Sequence, residues 1–140
     1  MWSILKKWIN PKVAELERTA VYTFRSMVSK KWMKGRLFIA GDAAHLMPPF
    51  MGQGLCAGVR DVANLAWKLV AEIKNQAEAG LLATYESERV PHVQKYIDTA
   101  IKLGGLINAT DPTNAFERSK KNTKNGTTMK SLYPELGIGL

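Results

Sequence analysis

The feature that most constrains the fold is a Pro- and Gly-rich loop between a short apolar run and a long helix. Residues 36–41 (RLFIAG) form an apolar run bounded by glycines, which predicts a strand. Residues 42–54 (DAAHLMPPFMGQG) hold two prolines and two glycines, which predicts irregular backbone. From Leu55 a helix is expected, because apolar residues recur on one helical face. They are Leu55, Val59, Val62, Ala63, Ala66, Leu69, Val70 and Ile73.

The flanking segments predict further elements. Residues 13–20 favour a brief helix, and the β-branched and aromatic residues of 21–28 predict a strand. The KKWMKG turn is short enough to make a hairpin between residues 21–28 and 36–41, although a wider connection between them is also possible. After Gly80 a second helix is predicted over 81–107, kinked or restarted at Pro91. Its candidate core positions are Leu82, Tyr85, Val93, Ile97, Ile101 and Leu103.

The pattern changes after Asn108. Residues 108–131 are rich in Thr, Asn, Lys and Ser, which is typical of a flexible linker or tail. The expected division is therefore a partial domain over 1–110 and a truncated linker or tail over 111–140. The last eight residues, YPELGIGL, suggest a chain cut in mid-course.

Composition excludes several classes of protein. The chain has 140 residues, 46% of them apolar, which suffices for one core. One cysteine excludes an internal disulfide and, with two histidines far apart, disfavours a zinc site. No window resembles a signal peptide or a membrane span, so a cytoplasmic protein is expected.

The net charge of +8 is concentrated near the N-terminus. Residues 1–35 hold eight Lys or Arg and only two Glu. A basic chain can bind nucleic acid, but the interleaved aromatics and recognition motifs of such proteins are missing. The charge therefore favours solvated lysines over a nucleic-acid interface.

The loop combines groups that suit an anionic ligand with hydroxyls. Asp42 follows a strand end, where ligands collect in open α/β folds, and its carboxylate can accept hydroxyl hydrogen bonds; it can also merely cap a turn. Gly52-Gln53-Gly54 leads into a helix whose first amides are unpaired donors. Gly52, Gly54 and Gly58 are spaced one residue too widely for the dinucleotide fingerprint.

Residues 36–69 carry a resemblance to a known family. The run Gly-Asp-Ala-Ala-His, Pro-Pro, Gly-Gln-Gly-Leu and Arg-Asp-Val-Ala-Asn-Leu-Ala-Trp-Lys-Leu resembles the second FAD motif of single-component flavoprotein monooxygenases, the p-hydroxybenzoate hydroxylase family. The 3-(3-hydroxyphenyl)propionate hydroxylases are the most similar group. Residues 22–24, Trp32 and 85–92 agree with that group. The implied fold is α/β, a piece of a Rossmann-like FAD-binding fold: hairpin, cofactor loop, two long helices and a tail.

The resemblance implies roles for seven residues. Asp42, after Gly41, would bind the ribityl hydroxyls of FAD, and Pro49 would lie against the flavin. The amides of Leu55 and Cys56 would face the N1/C2-carbonyl edge of the ring. The implied cofactor-binding set is Gly41, Asp42, Pro49, Gly52, Gly54, Leu55 and Cys56. The family hydroxylates phenolic acids with FAD, NADH or NADPH, and dioxygen.

Two departures from the family pattern matter. Many members have Asn where this chain has Cys56, and a thiol cannot replace a side-chain amide. The G-x-G-x-x-G motif and the second cofactor motif, Asp-Gly followed by Ser and Arg, are absent. The chain is therefore expected to be an internal fragment that is inactive alone, and no catalytic residue is assigned.

Other polar residues have a structural and a functional interpretation. His45 is expected to be held by local hydrogen bonds, and Cys56 to be a small buried filler, although a helix N-terminus can activate a thiol. Arg60 and Asp61 could be ligands, but a solvated or structural ion pair on the helix is expected. Asn64 and Trp67 are expected to pack. The methionines 27, 47 and 51 suit a core or a pocket lining equally.

Three hypotheses remain open at this point. The first is a fragment of an FAD-dependent phenol hydroxylase. The second is a small non-catalytic basic binding module. The third is a split enzyme whose missing N-terminal half is supplied by a neighbouring chain, or a homodimer.

Overall fold

The computed structural model describes residues 1–107 and 134–137. The linker expected over 108–131 lies outside the described residues. The helices are α1 (Trp2–Leu5), α2 (Gly54–Ile73) and α3 (Thr84–Ile107), and 3-10 turns span Gly41–Ala43, Pro49–Met51 and Leu81–Ala83. The strands are β1 (Met27–Val28), β2 (Met33–Lys34), β3 (Leu37–Phe38) and β4 (His45–Leu46).

The strands pair differently from the expected hairpin. β2 pairs antiparallel with β3, with Met33 opposite Phe38. β1 pairs antiparallel with β4, with Val28 opposite His45. The expected pairing of 21–28 with 36–41 is wrong, because the chain turns tightly at Gly35-Arg36, where Gly35 adopts φ +59, and residues 33–34 of the expected turn pair with β3 instead. The loop after residue 41 is also less irregular than expected, since it contains β4 and two 3-10 turns.

The helix expected over 13–20 and most of the strand expected over 21–28 are wrong. Residues 14–26 have no regular secondary structure, and only Met27–Val28 is a strand. Val21, Tyr22 and Phe24 are exposed, so this segment lacks packing partners. Short elements with good propensity do not persist without such packing.

The two long helices form as expected. Gly80, at φ +91, ends the connection before the second one, which begins as the 3-10 turn and continues as α3. α3 runs through Pro91 without restarting. Of the six expected core positions, Ile101 is wrong because its side chain is 49% exposed. The core consists of Trp32, Ala44, Ala57, Leu65, Tyr85, Val93 and Ile97.

Helix α2 has two contrasting faces. Its inner face, which is buried, consists of Ala57, Asp61, Leu65 and Lys68. Its outer face consists of Leu55, Val59, Val62, Val70 and Ile73, all of them at least half exposed. The expected apolar face is therefore real, but its largest side chains point away from the core.

Two contacts bring distant segments to α3. The ring of Phe50 lies against Gly104, where an added Cβ would stand 2.3 Å from it. The amide of Gly137 donates to the carbonyl of Glu88 at 2.9 Å. Among the described residues, we find no helix with the length and apolarity to cross a membrane.

Candidate functional site

An open groove lies between the Gly41 turn and the N-terminal half of α2. Its volume is about 720 Å³. It is lined by Ala40, Gly41, Asp42, Gly54, Leu55, Gly58, Val59, Val62, Ala63 and Ala66. Small and apolar residues form most of its wall, so a flat apolar ligand can approach the backbone closely.

The Asp42 side chain is exposed at one end of the groove. It sits in the 3-10 turn that begins at Gly41, whose φ of +58 lies in the left-handed region. For a residue with a side chain, that conformation costs about 1–2 kcal/mol. Gly41 therefore sets the direction in which the chain presents Asp42.

The start of α2 supplies donors to the same groove. Gln53 is the N-cap residue and makes no side-chain capping hydrogen bond. The first bond of the helix joins the amide of Ala57 to the carbonyl of Gln53, so the preceding amides have no acceptor within the helix. These amides and the helix dipole favour negative charge at this end.

Four of the seven expected cofactor residues meet in the groove: Gly41, Asp42, Gly54 and Leu55. The other three lie in neighbouring positions that do not line it. Pro49 is exposed and opens a 3-10 turn, and Gly52 ends that turn at φ +61. Cys56 is exposed in the first turn of α2, so the expectation of a buried filler is wrong.

Two glycines bring the turn and the helix into backbone contact. A Cβ added at Gly58 would lie 3.3 Å from the Cα of Gly41. This separation is tighter than ordinary side-chain contact. Any larger residue at position 58 would push the Gly41 turn away from α2.

Asp61 lies directly beneath this contact and is fully buried. Its Oδ2 accepts the Gly41 amide at 3.0 Å and His45 Nε2–H at 2.6 Å, and its Oδ1 accepts Arg89 Nε–H at 2.8 Å. Burial opposes the charged carboxylate, but the hydrogen bonds from His45, Arg89 and Gly41 outweigh it and hold the pKa of Asp61 below its usual value.

The expected ion pair between Arg60 and Asp61 is wrong. Asp61 pairs with Arg89, on α3, while Arg60 donates to Gln53 Oε1 and lies 5.3 Å from the ring centre of Tyr96. Neighbours on a helix point in different directions, so Asp61 faces inward and Arg60 does not.

His45 is held by Asp61 from a different element and not by local hydrogen bonds. Its ring lies 5.4 Å from that of Trp32, and its Nδ1 is buried without a hydrogen-bond partner. A neutral ring with the proton on Nε2 fits this arrangement, because Nδ1 then carries no unpaired N–H. The sequence offers no signal for this long-range pairing.

A second buried polar group lies farther along α2. Lys68 Nζ donates to Thr84 Oγ1 and pairs with Glu88 at 2.8 Å, and Asn64 donates to the same Glu88 oxygen at 2.7 Å. Burial opposes the charge on Glu88, but hydrogen bonds from Lys68 and Asn64 leave its pKa below its usual value. Trp67, expected to pack, is 54% exposed.

His92 and Tyr85 complete the interface with α3. Burial, together with the charges of Arg89 and Arg60, lowers the pKa of His92 to about 4. Burial also raises the pKa of the Tyr85 hydroxyl, which donates to the Ile39 carbonyl at 2.9 Å. Both side chains are neutral at pH 7, so the net charge of this interface comes from the arginines, Lys68 and the carboxylates.

Comparison with known protein families identifies the fold. The family model described as FAD binding domain matches residues 6–100. The chain belongs to this FAD-binding family. The expected family, the α/β fold class and FAD as cofactor are confirmed by this match and by the relatives below.

Curated relatives of this FAD-binding chain are much longer. A probable NADH-specific resorcinol 4-hydroxylase of Rhodococcus jostii (strain RHA1) is 40% identical over 100% of this chain and 27% of its own length. A 3-(3-hydroxy-phenyl)propionate/3-hydroxycinnamic acid hydroxylase 2 of Burkholderia vietnamiensis (strain G4 / LMG 22486) is 43% identical over 83% of this chain and 22% of its own. The chain thus spans about a quarter of these relatives.

Solved structures agree with the assignment. The FAD-binding chain resembles aklavinone-11 hydroxylase, solved with FAD and aklavinone, with a TM-score of 0.56 and 41% identity over 57% of this chain and 15% of that one. It resembles BexE with a TM-score of 0.63 and 33% identity over 73% of this chain and 21% of that one.

The sequence did not predict a site role for Arg89, nor that Asp61 accepts hydrogen bonds from Gly41, His45 and Arg89. Arg89 lies in residues 85–92, which flank the motif. The available signal was a charged residue one turn from Tyr85, on a face expected to be core. A charge on a core face requires a buried partner, and Asp61 provides it.

Proposed function

We propose that this chain forms the flavin-facing wall of an aromatic-ring hydroxylase that uses NAD(P)H and dioxygen, and that a longer assembly performs the reaction. The observation that supports the proposal is the convergence of the Asp42 carboxylate and the α2 N-terminus on one apolar groove. When bound, FAD supplies the redox chemistry that links oxidation of the nicotinamide to hydroxylation of a phenolic ring. A phenolic acid is the proposed substrate, in line with the relatives' names.

The donors and acceptors of the groove fit FAD. Asp42 would accept hydrogen bonds from hydroxyls of the ribityl chain, and Gly41 would keep the backbone close to it. The amides of Leu55 and Cys56 would donate to the N1/C2-carbonyl edge, where the reduced ring carries negative charge. A helix N-terminus stabilises such charge by about 0.3–1 kcal/mol. Gly54 leaves room for the ring, and Gly52 and Pro49 shape the loop beside it.

The test is a titration of the purified chain with FAD, followed by quenching of flavin fluorescence. Hydrogen bonds to a charged group contribute about 1.5–3 kcal/mol, so Asp42→Ala should weaken binding at least about tenfold. Asp98→Ala is the matched control, because Asp98 is an exposed carboxylate on α3 that does not line the groove. Equal affinity of the two variants, or no quenching by a folded wild-type chain, would contradict the proposal.

The outer face of α2 supports a second part of the proposal, that further polypeptide packs against it. Val70 and Ile73 lie on this face outside the groove lining and are 50% and 79% exposed. We infer that the occupant is the segment with the G-x-G-x-x-G motif, which residues 1–140 do not contain and which a longer chain or a partner chain supplies. In this arrangement residues 1–110 are part of one FAD domain, and residues 111–140 are a linker. A cytoplasmic location stays a prediction.

Co-expression with the N-terminal half of a hydroxylase relative tests this packing. The two pieces should co-purify, and Val70→Asp or Ile73→Asp, both outside the groove lining, should abolish the complex, because a charge would be buried in an apolar contact. Glu72→Lys, at an exposed position off that face, is the control. Wild-type chain that elutes alone, or as a homodimer sensitive to the same substitutions, would contradict the inferred occupant.

A further inference from the structure

Asp61 joins three parts of the chain through one buried carboxylate. Gly41 precedes Asp42 in the groove, His45 belongs to β4, and Arg89 belongs to α3. All three donate to Asp61, at 3.0, 2.6 and 2.8 Å respectively. The side chains of Asp61 and His45 are completely inaccessible to solvent, and that of Arg89 is nearly so.

The ion pair with Arg89 alone does not account for this arrangement. A buried ion pair is weak evidence for stabilisation, because desolvation of both charges offsets their attraction. Oδ2 of Asp61 also accepts a hydrogen bond from the amide of Gly41, the residue before Asp42. This hydrogen bond links α2 to the turn. Gly41 also packs closely against Gly58 of α2. The turn is therefore fixed to α2 by this contact and by the hydrogen bond to Asp61.

We infer that Asp61 is a positioning residue, which fixes the Gly41-Asp42 turn so that the Asp42 carboxylate points into the groove. Arg89 and His45 hold the Asp61 carboxylate in one orientation. Asp61 is buried and outside the groove lining, so its effect on a ligand acts through the turn. The inference rests on the proposed function only for the identity of the ligand, FAD.

Asp61→Asn keeps the size and shape of the side chain and changes only its charge and its hydrogen-bonding groups, so it tests the positioning role by itself. The introduced oxygen will face Arg89, because a charged donor is the costliest to leave without an acceptor. The introduced NH₂ then faces His45 and Gly41. His45 can accept by moving its proton to Nδ1, whereas the Gly41 amide can only donate. The Gly41 amide therefore loses its acceptor while the size of the side chain is preserved.

The first readout needs no ligand: hydrogen exchange of the Gly41 amide, measured by NMR on the full chain. We expect exchange at least about tenfold faster in Asp61→Asn than in the wild type, compared at equal global stability. Lys68→Met is the control, since it also removes a buried charge from the inner face of α2. It should leave the Gly41 rate unchanged. Arg89→Lys, which keeps the charge but not the planar fork, provides a second variant if Asp61→Asn does not fold.

The second readout is a double-mutant cycle on FAD affinity. Asp61→Asn should weaken binding about tenfold in the wild-type background and have no further effect in Asp42→Ala, because both substitutions remove the same contact. An additive loss, or wild-type exchange at Gly41, would overturn the positioning role. Failure of every variant and of the wild type to bind FAD would overturn the proposed function, while the exchange rate still decides whether Asp61 fixes the turn.

Discussion

The two faces of α2 reverse the usual arrangement of an amphipathic helix. The inner face buries an aspartate and a lysine, each with complete charge-assisted partners. The outer face exposes five large apolar side chains and borders the groove. In most helices of globular proteins the apolar stripe is buried and the charges are solvated. The difference shows that α2 contributes two buried charges beside the apolar core, while its largest apolar surface is left for other contacts.

The comparison also separates two kinds of stabilisation. Burial of a charge is tolerated only when hydrogen bonds replace its hydration, so each inner-face charge depends on specific partners on α3 or β4. An exposed apolar side chain has no such dependence. Substitutions on the two faces are therefore expected to differ sharply in cost.

The largest effect is expected from Asp61→Ala on the inner face. Removal of the carboxylate leaves the buried donors of Arg89, His45 and Gly41 without an acceptor. Loss of one partner of a buried ion pair costs about 3–5 kcal/mol. Urea denaturation followed by circular dichroism measures the free energy of unfolding. A loss below about 1 kcal/mol would show that these buried hydrogen bonds do not stabilise the fold.

An intermediate effect is expected from pH, through His92 at the interface of α3 with the inner face. Its pKa is lowered from 6.5 to about 4, so the unfolded chain binds a proton between these values and the folded chain does not. Stability should therefore be full above about pH 6.5 and fall as the pH drops toward 4, by about 2–3 kcal/mol at 1.4 kcal/mol per pKa unit.

Denaturation curves at pH 7 and pH 4.5 for the wild type and His92→Phe test this dependence. His92→Phe should remove most of the difference between the two pH values, and the phenyl ring keeps the contact with Tyr96, whose ring lies 5.2 Å away. The pKa values of Asp61 and Glu88 lie below their usual values of 3.8 and 4.5, so the stability that these carboxylates contribute is lost only at and below the acidic end of this window. An unchanged pH dependence in His92→Phe would assign the effect to another group.

The smallest effect is expected from Val70→Ser and Ile73→Ser on the outer face. Both side chains are at least half exposed, and exposed substitutions usually change stability by no more than about 0.5 kcal/mol. Leu65→Ala, on the inner face of the same helix, should cost about 2–4 kcal/mol. A cost above 1 kcal/mol for either serine variant would show that the outer face is packed in the isolated chain, and would remove the contrast.

The sequence predicted the long helices and the family, because these depend on periodicity and a long motif. It also singled out Gly41, Asp42, Gly54 and Leu55, which the structure brings to one groove, while their role toward FAD stays a prediction. It did not reach the strand pairing or Asp61. The turn at Gly35 and the pairing of Val28 with His45 depend on packing between segments, and residues 13–26 show that propensity without partners does not define an element. The Asp61–Arg89 pair joins residues on different helices, which no local pattern reveals.

The contact between Phe50 and Gly104 has a consequence for how the chain is made. Only glycine at position 104 leaves room for the ring, and that glycine lies near the end of α3. The Pro-rich segment around Phe50 leaves the ribosome well before Gly104 does, so this contact cannot form until translation has passed Gly104. A ribosome stalled before that codon would carry a nascent chain with an incomplete loop, whereas one stalled well after it would not.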